Sequence, residues 1–397
     1  MNSSSKNLDA DVIVVGGGPV GTTTALKLAR GGMRVILLER RAATGLEARA
    51  TTFHPPTLEM LDDLGLAEAL ISKGLIAKSY QFRDARLGKI VDLEFDILSG
   101  DTKFPFRLQC EQSVLTLMAT EALEAMPEAR VHRSSAVSAV RQMDDHVEVV
   151  VDGGEAAGTL TARHVIAADG MRSAVRESMN IEFVGHTYPE RFLVISTQAP
   201  LQDLLPDIAW VNYVADPVDW HVLMRNPSGW RILFPAPFGQ GTDEELLDPE
   251  NVKKQFARVL PDYPSEGAID WVTLYEVHRK VAGRLREGNV YLVGDAAHVN
   301  NPMGGMGMNS GIHDGVLLAE VLLAGASDDR LDAWAERRRE VALEFVGRET
   351  EANWSALRDS DEERRAAQRE AWKSLGADDE ARHTFLLTSS MLSSVRG

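Results

Sequence analysis

The stretch "DVIVVGGGPVG", from Asp11 to Gly21, narrows the fold more than any other part of the chain. A short apolar run ends in a glycine cluster, and a helix-forming run, "VGTTTALKLARGG", follows at once. A continuous apolar run of this length reads as a parallel strand buried on both faces. "MRVILLE" supplies a second such strand, so these residues make one βαβ unit. Gly16, Gly18 and Gly21 stand at GxGxxG spacing between strand and helix. Glycines there permit a tight turn, close backbone approach to a pyrophosphate and close helix packing. With Pro19 and Val20 they open a helix whose free N–H groups and positive dipole end suit an anion. Glu39 closes the second strand, where an acidic residue bonds the adenosine ribose hydroxyls. Arg40 follows it and is counted with the same dinucleotide-binding set.

The chain has 397 residues, room for two domains. Its net charge of -17 argues against a nucleic-acid backbone or an anionic membrane surface as partner. A single cysteine, Cys110, excludes an internal disulfide and fits a reducing compartment. The opening "MNSSSKNLDA" lacks the apolar core of a secretory signal, so a cytoplasmic location is expected. "VLLAEVLLAG" is short and carries Glu320, so no membrane span is expected. No metal site is expected either.

From about Ser79 the character changes. "RFLVIST", "IAWVNYV", "WHVLMR", "WRILFP" and "WVTLYEVHRKVAG" are rich in β-branched and aromatic residues, with Pro, Gly, Asn and Asp between them. The expected fold class is therefore α/β: a Rossmann-like domain, a second domain with a mainly antiparallel sheet, and a helical C-terminal tail. In the tail, Leu331, Trp334, Val341 and Phe345 fall near helical spacing. Its many charges are expected to form a solvated face.

Two later segments carry chemistry. In "TARHVIAADGMRS" a strand delivers Asp169 and Gly170, and Arg172 and Ser173 open a helix. An ordinary strand–turn–helix with Asp as N-cap and a ligand site both fit it. In "GDAAHVNNPMGGMGMN" a buried strand ends at Gly294 and Asp295, a loop holds Pro302, and a helix is expected to begin near Gly304. Glycines are poor helix formers, so Gly304, Gly305 and Gly307 at a helix start make sense if something flat lies against the backbone. One glycine cluster then cradles a pyrophosphate, and the other receives the far end of the same long molecule. An adenine dinucleotide ending in a flavin ring fits both.

"GGGPVG", Glu39, "ADGMRS" and "GDAAHVNNPMGGMGMN", in that order, resemble the class A flavin-dependent monooxygenases over about residues 10–345. The resemblance implies FAD held between the two domains, NADPH or NADH as reductant, and a small aromatic substrate and O2 as partners. It implies an FAD-binding domain in three parts, 8–78, 101–181 and 280–345, a substrate domain in two, 79–100 and 182–279, and a tail over 346–397. It points to Arg49 and Gln112 as cofactor contacts, to Asp169 as tied to FAD and nicotinamide, and to Asp295 as a partner of the ribityl chain. Pro302 would lie by the oxygen site. The backbone through Gly305, Gly307, Met308 and Asn309 would approach the pyrimidine edge. Oxygen would add at flavin C4a and pass as OH to an electron-rich phenol or hydroxypyridine. A homodimer is expected.

For the substrate, His221 and Arg225 in "WHVLMR" share a face with Leu223 by period two. His221 could help deprotonate a phenol and Arg225 could bind a carboxylate. Satisfied structural roles are open for both, as for Asn212, Tyr213, Tyr188 and His54. An FAD-dependent halogenase or reductase shares the cofactor motifs, but "WRILFP" lacks the first Trp and the Ile of the halogenase Trp-x-Trp-x-Ile-Pro stretch. From another class, a non-catalytic carrier or regulator on the same fold stays open.

Overall fold

The computed structural model describes residues 8–43, 50–239 and 241–396. Strand Ala10–Val15 is almost wholly buried, as its run of β-branched side chains requires in the middle of a sheet. It pairs in parallel with Val35–Leu38 on one side and Gly158–Ala167 on the other. Ala129–His132 and Val290–Leu292 extend the parallel order outward, and Arg286–Glu287 adds an antiparallel edge. Ala136–Gln142 and Val147–Asp152 form an antiparallel meander onto Gly158–Ala167. Helix Pro19–Arg30 crosses this sheet, with Pro19 at its first position, where a missing N–H costs nothing. The turn feeding it needs glycine. Gly16 has φ of +108°, and a Cβ there would come 2.2 Å from the Ala168 carbonyl oxygen.

A second sheet of eight strands runs in the order His298–Val299, Ile269–Ala282, Phe183–Thr197, Gly229–Pro237, His221–Asn226, Val211–Ala215, Ser79–Asp84, Gly88–Glu94. Only the Val211–Ala215 and Ser79–Asp84 pair is parallel. Both faces are covered, which explains the unbroken apolar runs in its sequence. Alternate residues part to opposite sides. Phe192, Val194, Val211 and Tyr213 join one apolar cluster. Leu193, Ile195, Val214 and Leu223 join another, closed by Val252, Phe256 and Val259 of helix Pro249–Val259.

A small third sheet, in the order Thr52–Phe53, Arg107–Gln109 and Leu75–Ala77, packs Phe53 and Leu108 into the core of the first sheet. The C-terminal helices Glu362–Ala377 and Asp379–Ser389 lie on the Tyr213 side of the second sheet. Trp372 stacks on Phe82 with ring centroids 4.3 Å apart. Most of the tail's charges form the expected solvated face, and two arginines depart from it. Arg365 is 6% exposed and donates to Asp84 at 2.9 Å, and Arg338 is 2% exposed. Burying apolar side chains such as Leu386 and Leu392 draws these arginines inward, and each needs a carboxylate to go there. The third glycine motif also differs from expectation. Its helix runs Gly307–Leu323, and Gly304 and Gly305 form a turn before it rather than a first helical turn.

Candidate functional site

A cleft opens where the strands of the first sheet end, the usual ligand position for such folds. Gly16, Gly18, Pro19, Val20, Glu39, Arg40, Gln112, Asp169, Asp295 and Met308 all line it. Segments far apart in sequence thus meet in one groove. Arg49 lies outside the described residues. Gly21 sits one helical turn in, where a Cβ would come 1.9 Å from the Gly16 carbonyl oxygen.

Glu39 Oε2 accepts from the Gly17 backbone N–H at 2.7 Å, and Oε1 from that of Arg41 at 2.8 Å. A carboxylate has room for further donors, so it ties the glycine turn and still presents acceptors to the cleft. Ser173, rather than Asp169, caps the helix Ala174–Ser178. Asp169 Oδ2 accepts from Val175 at 3.3 Å, while Oδ1 is buried without a partner. Burial pushes this carboxyl up, against the pull of Ser173 and Val175. An acceptor left bare in a groove is where a ligand hydroxyl or N–H belongs.

Met308 also lines the groove, and the glycine turn just before it, which does not, is stitched down by one side chain. Asn309 Oδ1 accepts from His54 N at 2.9 Å and Thr57 Oγ1 at 2.7 Å. Its Nδ2 donates to the carbonyls of Thr52 at 2.8 Å and Gly305 at 2.7 Å. All of its hydrogen-bonding capacity is spent inside the protein, so only its backbone is open to a ligand. His54 Nε2 donates to the Gly304 carbonyl at 2.9 Å, which leaves Nδ1 as a buried acceptor without a partner. Burial and the nearby Arg107 cation hold His54 well below the usual histidine range, so it is neutral. Pro302 is half-buried, and its carbonyl accepts from Gly305 N at 3.0 Å to close the turn.

Behind this turn, Asp314 is fully buried and accepts from Arg338 Nε at 2.6 Å, His298 Nε2 at 2.7 Å and Gly294 N at 3.2 Å. That network sets the backbone just before Asp295. Sequence reasoning missed it, although a buried helix carrying "HDG" and a later "RRR" offered the charge pair.

The candidates on the second sheet divide by face. Tyr213 lies on the side that includes Met303 of the glycine segment. Tyr188 is on the same side, and its hydroxyl donates to Glu351 Oε2 at 2.7 Å. His221, Arg225 and Asn212 do not reach the groove. Strand register turns them to the opposite face, toward helix Pro249–Val259. His221 stacks near Phe234 at 5.6 Å and meets the Asp219 carbonyl at 2.9 Å. Arg225 donates to the Asn226 carbonyl. Asn212 closes a turn by bonding both backbone groups of Ala209, at 3.1 and 2.7 Å. These satisfied roles replace the expected substrate contacts. Instead, Arg107 of the small sheet, which drew no attention in the sequence, stands on the Tyr213 side, 4.2 Å from the Tyr80 ring.

A family model for an FAD-binding domain matches residues 9–349. The chain is 34% identical over 387 residues to para-nitrophenol 4-monooxygenase of Pseudomonas sp. strain WBC-3, covering 95% of this chain and 94% of that protein. It is 32% identical over 346 residues to 6-hydroxy-3-succinoylpyridine 3-monooxygenase of Pseudomonas putida, covering 84% and 86%. The crystal structure of p-nitrophenol 4-monooxygenase from Pseudomonas putida superposes with a TM-score of 0.90 at 31% identity, covering 98% of each chain. The likeness runs through both sheets and the C-terminal helices, so it extends beyond the nucleotide-binding part. A groove that joins the Gly16 turn to Asp295 and Met308, on a chain matched to these enzymes over nearly its whole length, leaves one assignment: the protein belongs to the FAD-dependent aromatic monooxygenases.

Proposed function

We propose that this enzyme hydroxylates a phenol or hydroxypyridine, with NADH or NADPH as reductant and O2 as oxidant. The observation that carries the proposal is the single groove running from the Gly16 turn to the Met308 end of the second glycine segment. Its residues fit FAD. Gly18 lines the groove with no protein atom within 4 Å of where its Cβ would stand, Glu39 offers carboxylate oxygens, and Asp169 Oδ1 is a bare acceptor. Against the second glycine segment, His54 Nδ1 and Asn301 Nδ2 are buried without partners, as atoms facing a polar ring edge would be.

Bound FAD supplies the hydride-accepting and oxygen-activating chemistry. The chain's own part is placement. The N-terminus of helix Pro19–Arg30 offers free N–H groups to the pyrophosphate. The N-terminus of Gly307–Leu323 would offer a positive dipole end to the polar edge of a bound flavin ring. Tyr80, Phe82, Tyr213 and the C-terminal helices form an apolar wall that keeps water from the aromatic substrate. The same reading places the enzyme in the cytoplasm, on the strength of the lone buried Cys110, and takes it as a homodimer. Among the described residues, no helix is long and apolar enough to cross a membrane.

Purified protein is expected to be yellow, to release FAD on denaturation, and to oxidise NAD(P)H faster when a phenol or hydroxypyridine is added. A protein that FAD cannot reconstitute, or one that no such aromatic stimulates, would refute the proposal. Asp295, at the lip of the groove, is expected to accept a ribityl hydroxyl. Asp295→Ala should weaken FAD binding by about ten- to a hundredfold, the usual loss for a hydrogen bond to a charged group. Fluorescence titration of the apoprotein measures it, and an unchanged Kd would remove Asp295 from the cofactor site.

A further inference from the structure

The geometry points to Arg107 as the residue that binds an anionic oxygen carried by the aromatic ring of the substrate, with the Gln109 amide beside it. This rests on the aromatic-hydroxylase reading and names the ligand chemistry of that site.

Arg107 is 2% exposed, and its guanidinium is always charged. Its Nη2 donates to the Ser389 carbonyl at 3.1 Å, but Nε and Nη1 have no partner among the described residues. A buried cation with free donors is costly unless an anion reaches it. The rings around it do not fill that need. Tyr80 and Phe95 lie 4.2 and 5.3 Å from the guanidinium carbon, where they attract the cation's face but accept nothing from the in-plane N–H groups.

The direction of those donors follows from the strand. Arg107 and Gln109 share one face of Arg107–Gln109 by period two, and Leu108 between them packs into the first core. Gln109 Oε1 accepts from Thr52 Oγ1 at 3.0 Å, and its Nε2 is a buried donor without a partner. Thr52 stands against the second glycine turn: a Cβ on Gly305 would come 3.1 Å from Thr52 Cβ. Tyr80, over Arg107, meets Tyr213 edge-on at 5.9 Å. The unpartnered donors of two buried side chains therefore lie between the Gly305 turn and the aromatic wall. An aromatic ring bearing a phenolate or a carboxylate fits that place: ring against the wall, oxygen on the guanidinium.

The test is a titration of FAD-loaded enzyme without reductant, followed by flavin absorbance. The probes are 4-nitrophenol at a pH where it is ionised, 4-nitrobenzoate, and the neutral 4-nitroaniline. Arg107→Gln should raise the Kd of the anion that the site takes by about ten- to a hundredfold and leave that of 4-nitroaniline within about threefold. Arg107→Lys should recover part of the loss. Loss confined to 4-nitrophenol identifies a phenolate site, and loss confined to 4-nitrobenzoate a carboxylate site. Equal losses for charged and neutral probes, or no loss at all, would overturn the assignment. If neither variant folds, wild-type enzyme decides. Either its affinity for the phenol must rise with pH through the ionisation of the free phenol while that for 4-nitroaniline stays level, or 4-nitrobenzoate must bind more tightly than 4-nitroaniline; a flat or falling phenol affinity with no such preference for the benzoate overturns the assignment. Wild-type enzyme that holds FAD but whose NAD(P)H oxidation no phenol or hydroxypyridine stimulates would overturn the hydroxylase reading itself, and the role of Arg107 with it.

Discussion

Asp314→Ala should destabilise the protein by about 3–5 kcal/mol, because it strands two buried partners at once. Arg338, 2% exposed, would lose its only carboxylate partner among the described residues and keep contacts to the Ser310 carbonyl and hydroxyl at 3.4 and 3.3 Å. His298 would lose its 2.7 Å bond, and Gly294 N its side-chain acceptor. Because Gly294 immediately precedes Asp295, FAD retention should fall together with stability. Asp314→Asn keeps the shape and removes the charge, so it should fall between wild type and alanine. The sign with pH is fixed as well. Burial alone would raise the Asp314 carboxyl, but Arg338 and His298 outweigh it and hold it below the usual range. A depressed carboxylate contributes its full stability above the unfolded value of about 3.9 and loses it as pH falls through the folded value. The advantage of wild type over Asp314→Ala should therefore persist from neutrality down to about pH 4 and shrink below it. Thermal melting of both proteins across that range, with FAD content measured in parallel, reads the effect. A midpoint unchanged at neutral pH would show that the network does not support the fold.

How much of this was legible beforehand follows the range of the interactions involved. The FAD groove rests on local rules: a strand, a glycine turn and a helix start, each contained in a short window, as at Gly16–Gly21 and Gly294–Asn309. Spacing and composition reveal such units directly. The substrate side rests on register and on contacts far apart in the chain. His221 and Arg225 were rightly placed on one face, but nothing local says which face a helix such as Pro249–Val259 will cover. Arg107 meets Ser389 across 282 positions, and its importance lies in partners it lacks, which a sequence does not display. The tail shows the same limit. Trp372 and Arg365 look like parts of a charged amphipathic helix until Phe82 and Asp84 are seen beneath them. Asn309 was picked out by its place in the glycine motif, yet its side chain serves the clamp on Thr52, His54 and Gly305.

Gly305→Val should uncouple the reaction. Gly305 has φ of +68°, a conformation that a β-branched residue adopts only under strain. Holding an L side chain there costs roughly 1–2 kcal/mol. The new Cβ would also stand 3.1 Å from Thr52 Cβ, too close to stay without a shift. The two valine methyls add to that crowding, and a turn pushed off Thr52 would strain the clamp in which Asn309 holds the Gly305 carbonyl at 2.7 Å. The Gly16 turn and Glu39 belong to separate elements and make none of these contacts, so the adenosine end of FAD should stay bound. The reacting end would loosen and admit water, and product formation depends on keeping the ring and oxygen together in a dry space. NAD(P)H should still be consumed in the presence of a phenol, while hydroxylated product per NAD(P)H falls and hydrogen peroxide rises to match. Product, NAD(P)H and peroxide are measured together for wild type and variant. If Gly305→Val holds FAD and keeps the wild-type ratio, the turn before helix Gly307–Leu323 does not border the reacting end of the cofactor, and the orientation of FAD in the groove must be reversed.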